Sequence, residues 1–183
     1  MAFFEARKEE DFLPEARHCL DELRRLGGVE TLWRAWLTYG RSPRILKARV
    51  TAEDNLYNQS SGKSAFSFAA RNIAFMPVAH ARRYDGCFGG SRAHLTKLGF
   101  DEPALDGFCA NPSVLPLPER ERLFVKYVLQ LATDPTQLQP KGFQEMAAQG
   151  LSQENVQELI AFAALAVFNT IFTTATSTAL QDE

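Results

Sequence analysis

The chain has 183 residues, the length of one compact domain that is large enough to bury a substantial core. Hydrophobic residues make up 45% and charged residues 23%, as in ordinary soluble globular proteins. The net charge of −2 argues against a nucleic-acid-binding surface, which would need an excess of basic residues. Three cysteines form no small-domain disulfide framework, so a reducing cytosol is the expected compartment.

The first half of the chain predicts helices separated by glycine and proline. They are, in order, Glu15–Leu26, Val29–Tyr39, Arg44–Tyr57 and Ala65–Ala81, with Pro77 expected to kink the last one. Before them, the charged residues among the first twelve leave no apolar run for a signal peptide. Cys19, inside the first helix, is expected to be a small buried side chain because nothing near it in sequence supplies a base.

The second half predicts four further helices: Asp101–Phe108 with Cys109 at its end, Glu119–Thr133, Lys141–Ala148 and a long last helix opened by Ser152. No clear strand alternation occurs, so the predicted class is all-α, as a single domain over residues 1–183. The first 28 residues form an N-terminal helical extension of that domain.

The last helix includes an uncharged stretch, Leu159–Leu180, that is long enough to cross a membrane. Its second half is rich in threonine, and neither flank carries a basic cluster or an aromatic belt, so no membrane association is expected. A helix that is apolar nearly all round must be covered on all sides, by its own domain or by a neighbouring subunit. The sequence therefore favours a homo-oligomer formed through apolar helices.

Residues 82–99 carry the one pattern that joins a thiol to an imidazole at helical spacing. Cys87 and His94 are seven residues apart, roughly 700° of helical rotation, so a continuous helix places both on one face with Ser91 between them. Glycines around Cys87 permit close backbone approach, and free N–H groups at a helix start favour thiolate over thiol. The pattern predicts a reactive site made of Cys87, His94 and Ser91.

This stretch resembles the active-site helix of the alkylhydroperoxidase D (AhpD)/carboxymuconolactone decarboxylase-like family, whose peroxidases carry Cys-x-x-Cys-x-x-x-His. Cys87 matches the first cysteine and His94 the histidine, and the resemblance covers roughly residues 30–180. It implies an AhpD-like helical fold, peroxidase-related chemistry, and assembly as a trimer or hexamer. Gly90 stands where the family has its second cysteine, and Phe75 where ungapped counting places its proton-relay glutamate.

Two functions follow from this pattern. In the first, the chain is a peroxidase-related antioxidant protein in which Cys87 is the reactive thiol, His94 is its base, and an external thiol or Cys109 reduces the oxidised cysteine. Efficient two-cysteine turnover is not expected. In the alternative, the redox site has decayed, leaving an oligomeric scaffold, a small-molecule pocket or a lactone decarboxylase-like protein that uses His94 for proton transfer.

Neither function requires a cofactor, and no metal site is predicted. His80, close before the motif, could approach Cys87 or His94, but the spacing of the three residues is not specific for a metal. Cys109 could resolve a sulfenic acid on Cys87, although sequence alone does not bring the two Cα atoms within the reach of a disulfide.

Overall fold

The computed structural model describes residues 8–27, 39, 41–58, 64–82, 91–93, 95–110 and 117–178. Over these residues the chain is helical and contains no strand, which confirms the all-α prediction. The longer helices are α1 (Pro14–Gly27), α2 (Pro43–Ala52), α3 (Phe68–Ala81), α4 (Glu102–Ala110), α5 (Glu119–Thr133), α6 (Pro140–Ala148) and α7 (Gln153–Thr178). The predicted helix Val29–Tyr39 lies outside the described residues except for Tyr39.

The chain divides into two compact units. The first unit comprises Met1–Gly62 and Ile171–Glu183, and the second comprises Lys63–Thr170. Helix α7 runs from the second unit into the first. This division does not test the predicted single domain, which stays a prediction.

The core of the first unit lies on the apolar face of α1, which begins at Pro14, directly before the predicted start at Glu15. The side chains buried in this core are Phe12, Ala16, Leu20, Leu23, Tyr39, Leu46 and Val50. Tyr39 stacks on Phe172 with ring centroids 3.9 Å apart. Cys19 packs against the same cluster and is half-buried, and this burial raises the pKa of its thiol. The expectation of an inert, packed Cys19 agrees with that environment.

Helix α2 begins at Pro43, one residue before its predicted start, and ends earlier than predicted. Ser42 is the N-cap residue, but its side chain makes no capping hydrogen bond. At the other end, the predicted single helix Arg44–Tyr57 changes at Glu53 into a π-helix, Glu53–Asn58. At this change Arg49 and Glu53, one turn apart, form an ion pair with both side chains largely buried. Hydrophobic periodicity does not reveal this pair, since charged residues count only as polar in the pattern.

The core of the second unit is built around α3 and α5. Phe124 of α5 is fully buried, with its ring centroid 4.1 Å from that of Phe66 and 5.3 Å from that of Phe162 on α7. Helix α3 begins at Phe68, three residues later than predicted, because Ser67 caps it by accepting a hydrogen bond from the Ala70 backbone N–H at 3.1 Å. The helix continues through Pro77 to Ala81.

Helix α7 begins where the sequence predicts. The Ser152 hydroxyl accepts a hydrogen bond from the Asn155 N–H, and the Asn155 side chain accepts one from the Ser152 N–H, each at 3.2 Å. Residues Gln153–Thr176 are long enough to cross a membrane, and their most apolar 18-residue window has a mean hydropathy of 1.8 and is half buried within the protein. Length and composition do not separate a core helix from a spanning one, so the non-membrane interpretation stays a prediction.

Candidate functional site

The predicted site divides between described and undescribed residues. Cys87, Gly90 and His94 lie outside the described residues, as does the side chain of Cys109. Ser91 is described and is only 4% exposed. It lies in a helical segment, residues 91–93 and 95–97, that we call the motif segment. Leu95, one turn further on, is completely buried, so the side of this segment that carries Ser91 and Leu95 faces the protein interior.

The motif segment ends in a tight turn at Gly99. The backbone N–H of Phe100 donates to the Leu95 carbonyl at 3.1 Å, and Gly99 has φ of 91°. Only glycine adopts this backbone conformation without strain, as is usual directly after a helix. Helix α4 starts three residues later, where Asp101 accepts a hydrogen bond from the Ala104 N–H at 2.7 Å. The connection between the motif segment and α4 is therefore short and fixed at both ends.

A cluster of charged side chains, which we call the Arg92 clamp, joins the motif segment to α4. Arg92 Nη1 donates to Asp106 at 2.6 Å, while Nε and Nη2 donate to Glu102, the former at 2.5 Å. Thr96 Oγ1 also donates to Glu102, at 3.2 Å. The hydrogen bonds that Arg92 donates to Asp106 and Glu102 raise its pKa, so the guanidinium stays charged. The exposed side of the motif segment is thus held against α4.

Helix α3, which precedes the motif in the chain, is buried without interruption from Ala70 to Ala79. Phe75, at the position where the resemblance places a relay acid, is 4% exposed. The described part of this helix therefore offers no carboxyl group for proton transfer, as the sequence indicated. A proton in any thiol chemistry would have to move through another residue.

Two fully buried polar residues of α3, Arg71 and Asn72, were missed by sequence reasoning. Asn72 donates to the Phe68 carbonyl at 2.9 Å. A guanidinium buried as deeply as that of Arg71 needs hydrogen-bond or ion-pair partners, since desolvating an isolated charge is costly. In the sequence, Arg71 and Asn72 are the polar residues that interrupt an otherwise apolar run after Ala69, and this interruption could have identified them.

His80 is exposed in the last turn of α3. Its predicted approach to Cys87 or His94 involves residues outside the described part of the chain, so that approach stays a prediction. Within the described ranges, no group of three or more histidine, cysteine, aspartate or glutamate side chains is arranged to hold a metal ion.

A polar cleft of about 670 Å³ lies between α5 and α6, away from the motif segment in sequence. Glu145 is held there by hydrogen bonds from the Tyr127 hydroxyl and from the Lys126 amine, the latter at 2.9 and 3.1 Å. These donors lower the pKa of Glu145, Tyr127 first and Lys126 second. Burial, and then the bond to Glu145, raise the pKa of Tyr127. The carboxylate already has its partners, so the arrangement braces α5 against α6.

No family model and no curated protein sequence matches the chain. Solved structures do match it. One is the alkylhydroperoxidase AhpD core of an uncharacterized peroxidase-related protein from Ralstonia eutropha JMP134, with a TM-score of 0.78 and 14% identity over 94% of this chain and 88% of that one. Another is an uncharacterized peroxidase-related protein from Silicibacter sp. TM1040, with a TM-score of 0.76 and 15% identity over 93% and 87% of the two chains.

At this level of identity, the likeness establishes the architecture and leaves the chemistry to the residues of this chain. It extends over 94% of this chain. The fold expected from the Cys87–His94 stretch is therefore confirmed: the chain adopts the fold of the alkylhydroperoxidase AhpD core.

Proposed function

We propose that this chain is a peroxidase-related antioxidant protein of the cytosol, in which the thiol of Cys87 reacts with hydroperoxides and His94 is the base. The observation that carries the proposal is the shared fold with two peroxidase-related proteins, combined with a cysteine and a histidine at helical spacing in this sequence. The burial of Ser91 supports it, because the face predicted to hold Cys87 and His94 is then an inward one.

The chemistry requires a thiolate, a base that takes the thiol proton and a proton donor for the leaving alkoxide. His94 takes the thiol proton of Cys87, and the thiolate sulfur attacks the outer oxygen of the hydroperoxide. The O–O bond breaks, a sulfenic acid forms on Cys87, and the alkoxide takes the proton back from His94 to leave as an alcohol. His94 thus serves both proton steps, which accords with the apolar Phe75 in place of a relay acid.

Regeneration of Cys87 distinguishes this chain from a Cys-x-x-Cys peroxidase. With Gly90 in the second cysteine position, the motif itself contains no thiol that can condense with the sulfenic acid. An external thiol, or a thiol elsewhere in the chain, must supply the two electrons. We expect slow turnover with monothiols and a sulfenic acid that persists long enough to be trapped.

The test is the intact mass of the fully reduced protein after stoichiometric organic hydroperoxide, with dimedone present to trap sulfenic acid. The wild type should gain one dimedone adduct, mapped to Cys87, and Cys87→Ser should gain none. Cys19→Ser is the matched control and should behave as the wild type, because burial raises the pKa of that thiol and keeps it protonated.

A His94→Gln variant then tests the base. It should form the adduct more slowly, with the loss largest near neutral pH and smaller in alkaline buffer, where the thiolate forms without a base. A folded wild type that consumes no peroxide and gains no adduct would overturn the proposal. The non-redox alternative, a small-molecule or lactone decarboxylase-like site around His94, would then be the one to pursue.

A further inference from the structure

The polar cleft between α5 and α6 is lined mainly by amide and charged side chains. Lys126, Tyr127 and Gln130 of α5 form one side, and six residues between positions 137 and 145 form the other. All of them belong to the second compact unit. The volume of about 670 Å³ falls within the range of about 300–1,000 Å³ that is usual for small-molecule sites. The cleft is therefore large enough for a ligand, and its chemistry decides which kind of ligand fits.

Three glutamines of the lining are held in one orientation by the turn that precedes α6. Gln130 Nε2 donates to the Gln137 carbonyl at 2.8 Å. Gln139 Nε2 donates to the Thr136 carbonyl at 2.9 Å, and Gln137 Nε2 donates to the Asp134 carboxylate at 3.1 Å. Each partner is an acceptor, so the nitrogen end of the amide, and not the oxygen end, must face it. The oxygen of each amide is therefore directed away from its partner in the turn.

The three amide oxygens give the cleft a set of hydrogen-bond acceptors. Among the residues that the structure describes, no hydrogen bond involves the side-chain oxygen of Gln130, Gln137 or Gln139. Exposed glutamine side chains ordinarily keep their rotamer freedom, and ordering them on binding opposes association. Because these amides are fixed already, a ligand does not have to order them. The arrangement favours a ligand that carries several O–H or N–H donors.

The charged side chains of the lining add one net positive charge, since Lys126 and Lys141 are cations and Glu145 is the single anion. Glu145 is occupied by the Tyr127 hydroxyl and the Lys126 amine. Within the described part of the chain, no hydrogen bond or ion pair involves the exposed Lys141 ammonium group. That group can therefore bind one acid group of a ligand. The cleft thus combines acceptors for donor groups with a cation for a single negative charge.

We propose that the cleft between α5 and α6 binds a small polyhydroxylated monocarboxylate, that is, a sugar acid. The carboxylate pairs with Lys141, and hydroxyl groups donate to the amide oxygens of the three glutamines. Hydroxyl groups also accept hydrogen bonds, so they can use a donor of Lys126 as well. A neutral sugar lacks the acid group and a simple carboxylate lacks the donors, so only the combination uses the whole lining. This site is separate from the proposed thiol chemistry and does not depend on it.

The test is an NMR titration of the full chain with potassium gluconate at constant ionic strength, following backbone and glutamine side-chain amide signals. A ligand of about 13 non-hydrogen atoms at ordinary efficiency should bind with a dissociation constant of about 1 mM or below. The side-chain signals of Gln130, Gln137 and Gln139 should shift and saturate. Glucose and acetate should each bind at least about tenfold more weakly. Shifts that do not saturate, or equal affinities for gluconate and acetate, would overturn the proposal, the latter by showing a general attraction of anions.

Two surface variants separate the roles of the cation and the amides. Lys141→Gln should weaken gluconate binding about five- to tenfold and leave the weak binding of glucose unchanged, because only the acid group is lost as a partner. Gln139→Met, which removes an amide at nearly constant size, should weaken gluconate and glucose alike. Lys97→Gln is the matched control, since Lys97 is also exposed and lies outside the cleft. Equal gluconate affinity in Lys141→Gln and Lys97→Gln, or wild-type affinity in Gln139→Met, would contradict the assigned contacts.

Discussion

Replacing Gly142 by alanine tests the packing between α5 and α6. A Cβ atom at residue 142 would lie 3.0 Å from Tyr127 Cε1, 3.0 Å from Tyr127 Oη and 3.0 Å from Leu138 Cδ1. The leucine methyl can rotate away, but the Tyr127 ring is only 4% exposed and its hydroxyl is bonded to Glu145. Overpacking of this kind costs about 1–3 kcal/mol, and the better helix propensity of alanine returns up to about 1 kcal/mol. We expect Gly142→Ala to destabilise the protein by about 1–2 kcal/mol.

Gly107→Ala is the matched control, because it also places alanine in a helix and a Cβ atom there would meet nothing within 4 Å. It should stabilise the protein by about 0.5–1 kcal/mol. For a chain of this size, each kcal/mol shifts the melting temperature by about 2–4 °C. Thermal unfolding followed by circular dichroism should therefore show shifts of opposite sign. A Gly142→Ala variant that melts at or above the wild-type temperature would refute the packing argument.

Three further predictions concern charge, the missing acid and assembly. Because the pKa of Glu145 is lowered, this carboxyl group stabilises the protein above pH 4.5, its ordinary pKa, and the stabilisation is lost as the pH falls. Because the pKa of Tyr127 is raised, this hydroxyl group stabilises the protein below pH 10.0, its ordinary pKa, and the stabilisation is lost as the pH rises. Urea unfolding across the acid range should then show a smaller pH dependence in Glu145→Gln; an unchanged slope would contradict the assignment. Phe75→Glu should destabilise the protein by about 3–5 kcal/mol without increasing peroxide consumption, because the site is 4% exposed and would desolvate a carboxylate. Phe75→Leu should lower the free energy of unfolding by less. A stable, more active glutamate variant would show that water reaches this site. Ile160→Asp on α7 should lower the mass measured by light scattering, and Ile45→Asp on α2, with the same 40% exposure, should not; equal masses in all three proteins would argue against assembly through α7.

Much of the helical architecture could be predicted from local chemistry. Helix α5 has the predicted bounds, and α7 starts at its predicted cap, because charged or capping residues mark these ends directly. The start of α3 was misplaced because Ser64 and Ser67 both precede the apolar run, and only Ser67 caps the helix. Ser64 instead bonds to Glu158, a residue 94 positions away, which no local pattern could indicate.

Helix α7 shows why composition alone does not settle burial. The sequence predicts a helix that must be covered on all sides, but the exposed positions Ile160, Ala164 and Phe168 recur every four residues along one side. The opposite side, with Leu159, Phe162 and Ala166, is buried within the second unit. The chain therefore covers one side of α7 itself. This pattern is expected if a neighbouring subunit covers the opposite side, and for this reason Ile160 is the probe of assembly.

For the candidate site, the sequence predicts which residues share a helical face, and the structure adds the direction of Ser91, its described member. Spacing alone groups Cys87, Ser91 and His94 and is silent on whether they face solvent or the interior. The burial of Ser91, together with the outward bonds of Arg92, orients the motif segment. The Arg92 clamp joins the outer side of this segment to α4, so the segment is fixed by burial on one side and by charge pairs on the other.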